Sequence, residues 1–360
     1  MKIGILTFPK AINYGAALQA AALSRVLSDR SHDVYFLSHI NKNTASASKV
    51  FDITKILNIK YSLAHIINLP VAVKRKLNFS DFWKKHFRFD SAIPHNYDLI
   101  ITGSDQVWNY NLTGDDWFFY LDFEKNNTKK AAYSASFGLS EIATDRQDKI
   151  RTLINDIDFL SVREKTAAKL ISELCEKEAT VTVDPTLLLT KEQWCKFFDK
   201  KEEKKGYIFV YTLFNSDKIW EYAKFLSNKT GLPIKTISYS KLHRHNAIYN
   251  FTAGPDDWVN YMLNADYVVT NSFHGVAFSI NFNKNFFFDM PPEKAGVGSR
   301  ISDITERYSL SHRNISAPNF VETAEAPDFS AANKLLEEDR FFSFSFIDSF
   351  LNSKSAPEEE

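Results

Sequence analysis

The strongest constraint on the fold lies in the first forty residues. A short apolar run, KIGILTF (2–8), leads into a loop and a stretch rich in Ala and Leu. A second apolar run, HDVYFLSHI (32–40), follows. The first run does not alternate apolar with polar residues, so it reads as a strand buried on both faces, as in a parallel sheet. Ala16, Leu18, Ala20, Ala22, Leu23, Val26 and Leu27 give the intervening stretch one rich apolar side and predict a helix. Strand, helix and strand in that order make a βαβ unit.

The alternation recurs down the chain. Strands are expected at 97–103, 129–138, 158–164 and 179–189, with helices near 141–156 and 165–175. Residues 41–96 break the pattern and read as an irregular, lid-like helical insertion, with helices near 53–66 and 71–86. The run DKKEEKKG (199–206) has no apolar residue and marks a boundary. Strands at 207–213, 232–239, 266–272 and 284–290 follow it, with helices at 216–229 and 255–265. The chain of 360 residues is longer than one core ordinarily serves. The expectation is two similar α/β domains, over 1–200 and 206–325, each an open parallel sheet with helices on its faces. A helical segment over 326–352, of one or two helices, and a disordered tail over 353–360 complete the chain.

Composition excludes several function classes. Lys plus Arg equals Asp plus Glu, 44 each, so no global basic field favours nucleic acid. Cys175 and Cys195 form no disulfide framework and have no metal-ligand spacing, which suits a reducing cytosol. MKIGILTFPK has no long hydrophobic leader with a cleavage site, and no run is apolar enough for a transmembrane helix. A cytoplasmic protein is expected. The basic, aromatic stretch 74–89 leaves room for peripheral association with the inner face of the membrane.

Ligands of open α/β sheets bind beyond the carboxyl ends of the strands, which singles out four loops. Asn13-Tyr14-Gly15 precedes the first helix; it is either a capped tight turn or a place where backbone approaches an anion. It is not the dinucleotide-binding glycine fingerprint. Gly103-Ser104-Asp105-Gln106-Val107-Trp108-Asn109 is a dense polar loop. Turn chemistry accounts for Ser104 and Asp105 more readily than for Gln106, Trp108 and Asn109. Arg163 ends a strand, where it either forks onto a carboxylate or phosphate or pairs with Glu164. The fourth loop is TNSFHG (270–275), where a strand hands over to a helix and offers His274 beside Asn271, Ser272 and Gly275. Trp108, Trp117, Phe118 and Phe119 are either sugar-stacking rings or core.

Five segments together resemble the polysaccharide pyruvyl transferase family: NYGAALQAAAL, DLIITGSDQVWN, SVREKTAAKLI, VDPTLLLTKEQW and YVVTNSFHGVAFSI, in the family's order and over roughly 1–310. The resemblance implies two Rossmann-like domains in a glycosyltransferase-B-like arrangement, with the active site in the cleft between them. It implies transfer of pyruvate from phosphoenolpyruvate to hydroxyls of a sugar or lipid-linked glycan in a cell-surface or exopolysaccharide precursor, as a ketal, with release of phosphate. No metal or redox cofactor is implied. The proton-transfer role falls on His274, a donor-binding role on Arg163, and a loop-closing polar role on Asn109. Relatives commonly carry Arg two positions before the histidine, where this chain has Ser272. Arg300, in GVGSRISDI, is the local substitute. The alternatives are a glycosyltransferase of the same architecture with a nucleotide-sugar donor, and an inactive glycan-binding relative.

Overall fold

The computed structural model describes residues 1–47, 59–91, 93–203, 206–241, 245–292 and 298–353. The expected helix near 53–66 lies partly outside them, as does nearly all of the 353–360 tail. Among the described residues there are two parallel sheets. The first contains β1 (Lys2–Leu6), β2 (Asp33–Leu37), β3 (Phe89–Asp90), β4 (Leu99–Thr102), β5 (Lys129–Ala135), β6 (Phe159–Val162) and β7 (Thr180–Val181), in the order β3-β2-β1-β4-β5-β6-β7. The second contains β8 (Ile208–Tyr211), β9 (Ile234–Ile237), β10 (Ile248–Asn250), β11 (Tyr267–Thr270) and β12 (Asn285–Phe288), in the order β10-β9-β8-β11-β12. The strand order reverses between β1 and β4 in one sheet and between β8 and β11 in the other. These reversals are the crevices where such sheets take ligands.

The helices are α1 (Tyr14–Ser28), α2 (Lys42–Ala47), α3 (Ile59–His86), α4 (Tyr110–Thr113), α5 (Thr144–Asn155), α6 (Lys165–Leu174), α7 (Pro185–Leu188), α8 (Lys191–Phe198), α9 (Asp217–Thr230), α10 (Pro255–Asn264), α11 (Phe273–Asn281), α12 (Gly298–Arg307) and α13 (Ser330–Asn352). Two Rossmann-like domains thus pack against each other through a shared apolar cluster.

Some elements depart from expectation for identifiable reasons. The segment at 179–189 is a strand only over Thr180–Val181. Asp184 then caps a new helix and Pro185 opens it, a pairing that suits a helix start. The insertion is not two helices around Pro70, because α3 runs through that residue. Proline in a helix interior costs a backbone hydrogen bond; tertiary contacts hold the helix here. Arg75 donates from Nη2 to the carbonyl of Ser238 at 2.8 Å and Asn78 to that of Thr252 at 2.7 Å, while Phe79, Phe82 and Trp83 enter the core. Residues 331–352 belong to one continuous helix, α13. Helix α1 is buried on almost every side, not one, since its alanines let it lie between the first sheet and the second domain. The amide nitrogen of its buried Gln19 donates to the hydroxyl of Thr7 and the carbonyl of Ala16.

One apolar cluster runs through both domains, joining Ile3, Ile5 and Leu23 of the first to Phe209, Trp258 and Phe278 of the second. A polar knot secures the same seam. Asn281, closing α11, donates to the carbonyls of Thr186 and Leu189, and the buried Arg340 of α13 donates to Leu187 O at 2.6 Å and Asn281 Oδ1 at 2.7 Å. Among the described residues no helix is long and apolar enough to cross a membrane. Arg340→Met should leave a buried carbonyl and a buried amide oxygen without donors. Urea unfolding is expected to show a loss of about 2–4 kcal/mol, against a far smaller effect for substitution at the exposed Ser345.

Candidate active site

The polar run after β11 divides its work. Thr270 Oγ1 accepts from the Ser272 N–H at 3.1 Å and donates to the Tyr211 carbonyl at 2.6 Å. Asn271 braces the loop after β8, accepting from the Leu213 N–H and donating to the Phe214 carbonyl, both at 2.8 Å. Ser272 is the N-cap of α11 and accepts from the Gly275 N–H. Gly275 itself lies against Thr270, where a methyl group would overlap the hydroxyl. These four residues shape a turn that presents His274, in the first turn of α11, at the crevice of the second sheet.

The partner of that turn is the start of α1, at the crevice of the first sheet. Asn13 caps α1 by accepting from the Ala16 N–H at 3.1 Å. Tyr14 points into the interdomain seam, donating to the Ala253 carbonyl at 2.9 Å and stacking on Trp258. Gly15 lies directly under His274: a Cβ there would overlap the imidazole ring at Nδ1, Cγ and Cε1. Glycine is required at this position by the approach of a side chain from the other domain.

Around His274 gathers a buried charged cluster. Arg163, just after β6, donates from Nη1 to Asp184 Oδ2 at 2.8 Å. Its Nη2 is 3.7 Å from Asp105 and its Nε 3.7 Å from Glu164. His274 Nε2 approaches the same Asp184 oxygen to 3.7 Å, and Ser104 donates to it at 3.2 Å. Phe273 presents its ring to two guanidinium groups, with Arg163 4.7 Å and Arg300 5.8 Å from its centroid. Arg163, Arg300, Asp184, Glu164 and His274 are all buried. The loop after β4 brings Asp105 to this cluster through Gly103, whose φ of +105° a residue with a side chain rarely adopts.

The electrostatics follow from this crowding. Burial alone would push the Asp184 carboxyl up; the His274 side chain, the Arg163 charge and the Thr186 N–H outweigh it and hold the group well below the usual carboxylate range. Burial also works against the charge on Arg163, but Asp184, Asp105 and Glu164 more than restore it. Arg300 has less help. Burial and the nearby Arg163 charge bring it down to about 10, still charged at neutral pH. Among the described residues, Arg163 Nε and Nη2, Arg300 Nε and His274 Nε2 are buried without a hydrogen-bond partner, as is Glu164 Oε2. Each such group costs about 1–3 kcal/mol. Four of them are donors in one cluster, three of which stand 3.7 Å from a carboxylate, beyond hydrogen-bond distance. With three carboxylates close by, net charge does not by itself favour an anion; these unpaired N–H groups do.

The structure thus brings His274, Arg163, Arg300, Ser104, Asp105 and Gly15 together. It places Asn13, Tyr14, Asn271, Ser272 and Gly275 in supporting turns and the domain seam. Gln106 and Asn109 bond to each other at 2.8 Å, Asn109 caps α4, and Trp108 donates to the Phe119 carbonyl inside the core. The polar loop therefore works opposite to its sequence reading: Ser104 and Asp105 face the cluster, and the residues after them build the turn. Asp184 and Phe273 went unremarked in the sequence, and Glu164 entered only as a partner for Arg163. Asp184 had a signal, an Asp-Pro pair directly after a strand-like run. Among the described residues no group of three or more His, Cys, Asp or Glu is placed to hold a metal ion.

The molecule is a two-domain α/β protein with a buried charged cluster where its two sheet crevices meet. The chain belongs to the polysaccharide pyruvyl transferase family, whose model matches residues 13–288. That stretch contains Gly15, Arg163, Asp184 and His274 and ends before Arg300. No curated protein matches the sequence. In overall fold the chain is similar to the Methanocaldococcus jannaschii UDP-GlcNAc 2-epimerase in complex with UDP-GlcNAc and UDP (11% identity, TM-score 0.44, 95% of this chain and 100% of that one). It is also similar to Acinetobacter baumannii MurG (9%, 0.43, 98% and 100%) and to the E. coli heptosyltransferase WaaC with ADP (12%, 0.40, 94% and 100%).

The contact between Gly15 and His274 has a thermodynamic signature. Gly15→Ala should destabilise the wild-type protein by about 1–3 kcal/mol through overpacking. In a His274→Ala background the same change should be neutral or slightly stabilising, because Ala is the better helix former. Denaturant unfolding of the four proteins measures this coupling; additive effects would contradict the contact.

Proposed function

We propose that the protein is a pyruvyl transferase that moves pyruvate from phosphoenolpyruvate to hydroxyls of a sugar in a cell-surface or exopolysaccharide precursor. The observation that carries this reading is the set of buried, unpaired N–H groups of Arg163 and Arg300 beside His274. Phosphoenolpyruvate offers a carboxylate and a phosphate on adjacent groups, and guanidinium forks suit both. Phe273 holds the two guanidiniums against one ring, so the donors are set before the ligand arrives.

The chemistry divides among the residues as follows. His274, as imidazolium, gives a proton to the methylene carbon, and positive character develops on the neighbouring carbon. A sugar hydroxyl attacks that carbon and returns a proton to His274. The carbon–oxygen bond to phosphate breaks, the second hydroxyl adds, and its proton leaves on the phosphate. The products are a ketal and hydrogen phosphate. Asp184, charged and fixed by Arg163, Ser104 and Thr186, faces Nε2 and steadies the imidazolium electrostatically. Arg163 and Arg300 hold the donor's anionic groups.

We place the protein in the cytoplasm, next to the inner membrane face where lipid-linked glycans are presented. The outer side of α3 supports this. Leu69, Val73 and Leu77 are exposed there at successive turns, between exposed Lys74 and Lys76.

The test is phosphate release from phosphoenolpyruvate with a panel of glycan acceptors. His274→Ala should lower kcat by about 10²–10⁴-fold with donor binding retained. Arg300→Gln should weaken phosphoenolpyruvate binding by about 10–100-fold, the loss of charged hydrogen bonds. Binding of nucleotide sugars without binding of phosphoenolpyruvate, or full turnover by His274→Ala, would overturn the reading.

A further inference from the structure

Arg163, Glu164, Asp184 and Arg300 of the charged cluster form the inner end of a larger space, which His274, Ser104 and Asp105 do not line. A cavity of about 490 Å³ extends from Arg163, Asp184 and Arg300 outward between α12 and α13. This lies within the ordinary range for ligand pockets, roughly 300–1,000 Å³, and exceeds what a three-carbon phosphate ester fills. The outer half differs in chemistry from the inner. Tyr308, at the end of α12, and Glu338 and Phe342, on α13, form its walls. Glu338 and Phe342 are one helical turn apart, so they present to the same side. Phe342 is 54% exposed although it lines the cavity. Its neighbour Phe341 is 76% exposed and lies off the cavity.

The mouth is built rather than accidental. Asp339 accepts from Arg307 Nε and from the Tyr308 hydroxyl, both at 3.0 Å, which clamps α13 to α12. Three carboxylates, Asp303, Glu338 and Asp339, stand there against two cations, Lys165 and Arg307. The outer half therefore disfavours an acidic ligand, unlike the unpaired guanidinium N–H groups at the inner end. An exposed aromatic face with a carboxylate beside it suits a neutral sugar: the ring's C–H face packs on the aromatic, and the carboxylate accepts a hydroxyl. These walls lie beyond residues 13–288, the stretch matched by the family model.

We propose that this outer half is the acceptor subsite. A neutral hexose ring packs on Phe342, gives one hydroxyl to Glu338, and turns a pair of hydroxyls inward toward Arg163 and Arg300. The proposal rests on the inner end being the phosphoenolpyruvate site, and its test separates the two readings. Saturation-transfer NMR with the full-length protein uses a panel of methyl hexosides and methyl hexuronosides. Calorimetry measures phosphoenolpyruvate binding on the same samples. Wild type should give hexoside signals stronger than those of hexuronosides. Phe342→Ala should lower the hexoside affinity about fivefold or more, on the scale of an aromatic contact, and Glu338→Gln should lower it less. Phe341→Ala should match wild type, and none of the three should change phosphoenolpyruvate binding. Equal hexoside signals in wild type and Phe342→Ala, or none in wild type, would overturn this proposal. Phosphoenolpyruvate binding without hexoside binding removes the acceptor subsite and leaves the donor reading. Hexoside binding through Phe342 without phosphoenolpyruvate binding does the reverse.

Discussion

The rest of the molecule depends on one contact, the imidazole of His274 lying on the backbone of Gly15. Each residue stands at the strand-order reversal of its own sheet, one after β1 and one after β11. Each crevice taken alone would be an ordinary α/β ligand site. Pressed together, they form a single buried cluster to which the first domain supplies carboxylates and one guanidinium, and the second supplies imidazole and another guanidinium. The small residues of α1 follow from this requirement, since only a slim helix can lie between a sheet and a second domain. Tyr14 and Asn13 follow as well: one anchors the seam and the other ends the helix where the ring must pass.

The buried cluster is costly and the fold supports it deliberately. Arg163 alone faces Asp105, Glu164 and Asp184, yet two of its nitrogen atoms are left without hydrogen bonds. A site optimised only for stability would pair them. Leaving donors unpaired in a place shielded from water makes any complementary ligand bind against little competing solvent. Nothing then needs to reorganise when charge shifts during reaction. Ser104, the Thr186 N–H and Arg163 fix Asp184 so fully that its carboxylate serves as a rigid reference point for His274.

Much of this was legible in the sequence, and the omissions have physical causes. Unbroken apolar runs alternating with helical patterns gave the two parallel sheets, because a strand buried on both faces has little choice of residue. His274 and Arg163 were legible because each is a chemically expressive side chain at the carboxyl end of such a run. The sequence could not show which polar residues in a loop look inward. Asn109 and Asp105 are four positions apart and equally polar, and only the turn geometry separates a helix cap from a member of the cluster. Glu164 was visible only as a neighbour of Arg163, and Phe273 only as an apolar residue among others. The continuity of α3 through Pro70 was hidden because its compensation comes from carbonyls more than a hundred and fifty residues away.

The apolar cluster that spans both domains has a consequence for traffic. Halves joined by a thin linker and a wet seam can swing apart to admit a substrate; here, opening would expose Trp258, Phe278 and Leu23 to water. That cost opposes a swing of the two halves and favours small adjustments of side chains and helix ends at the mouth.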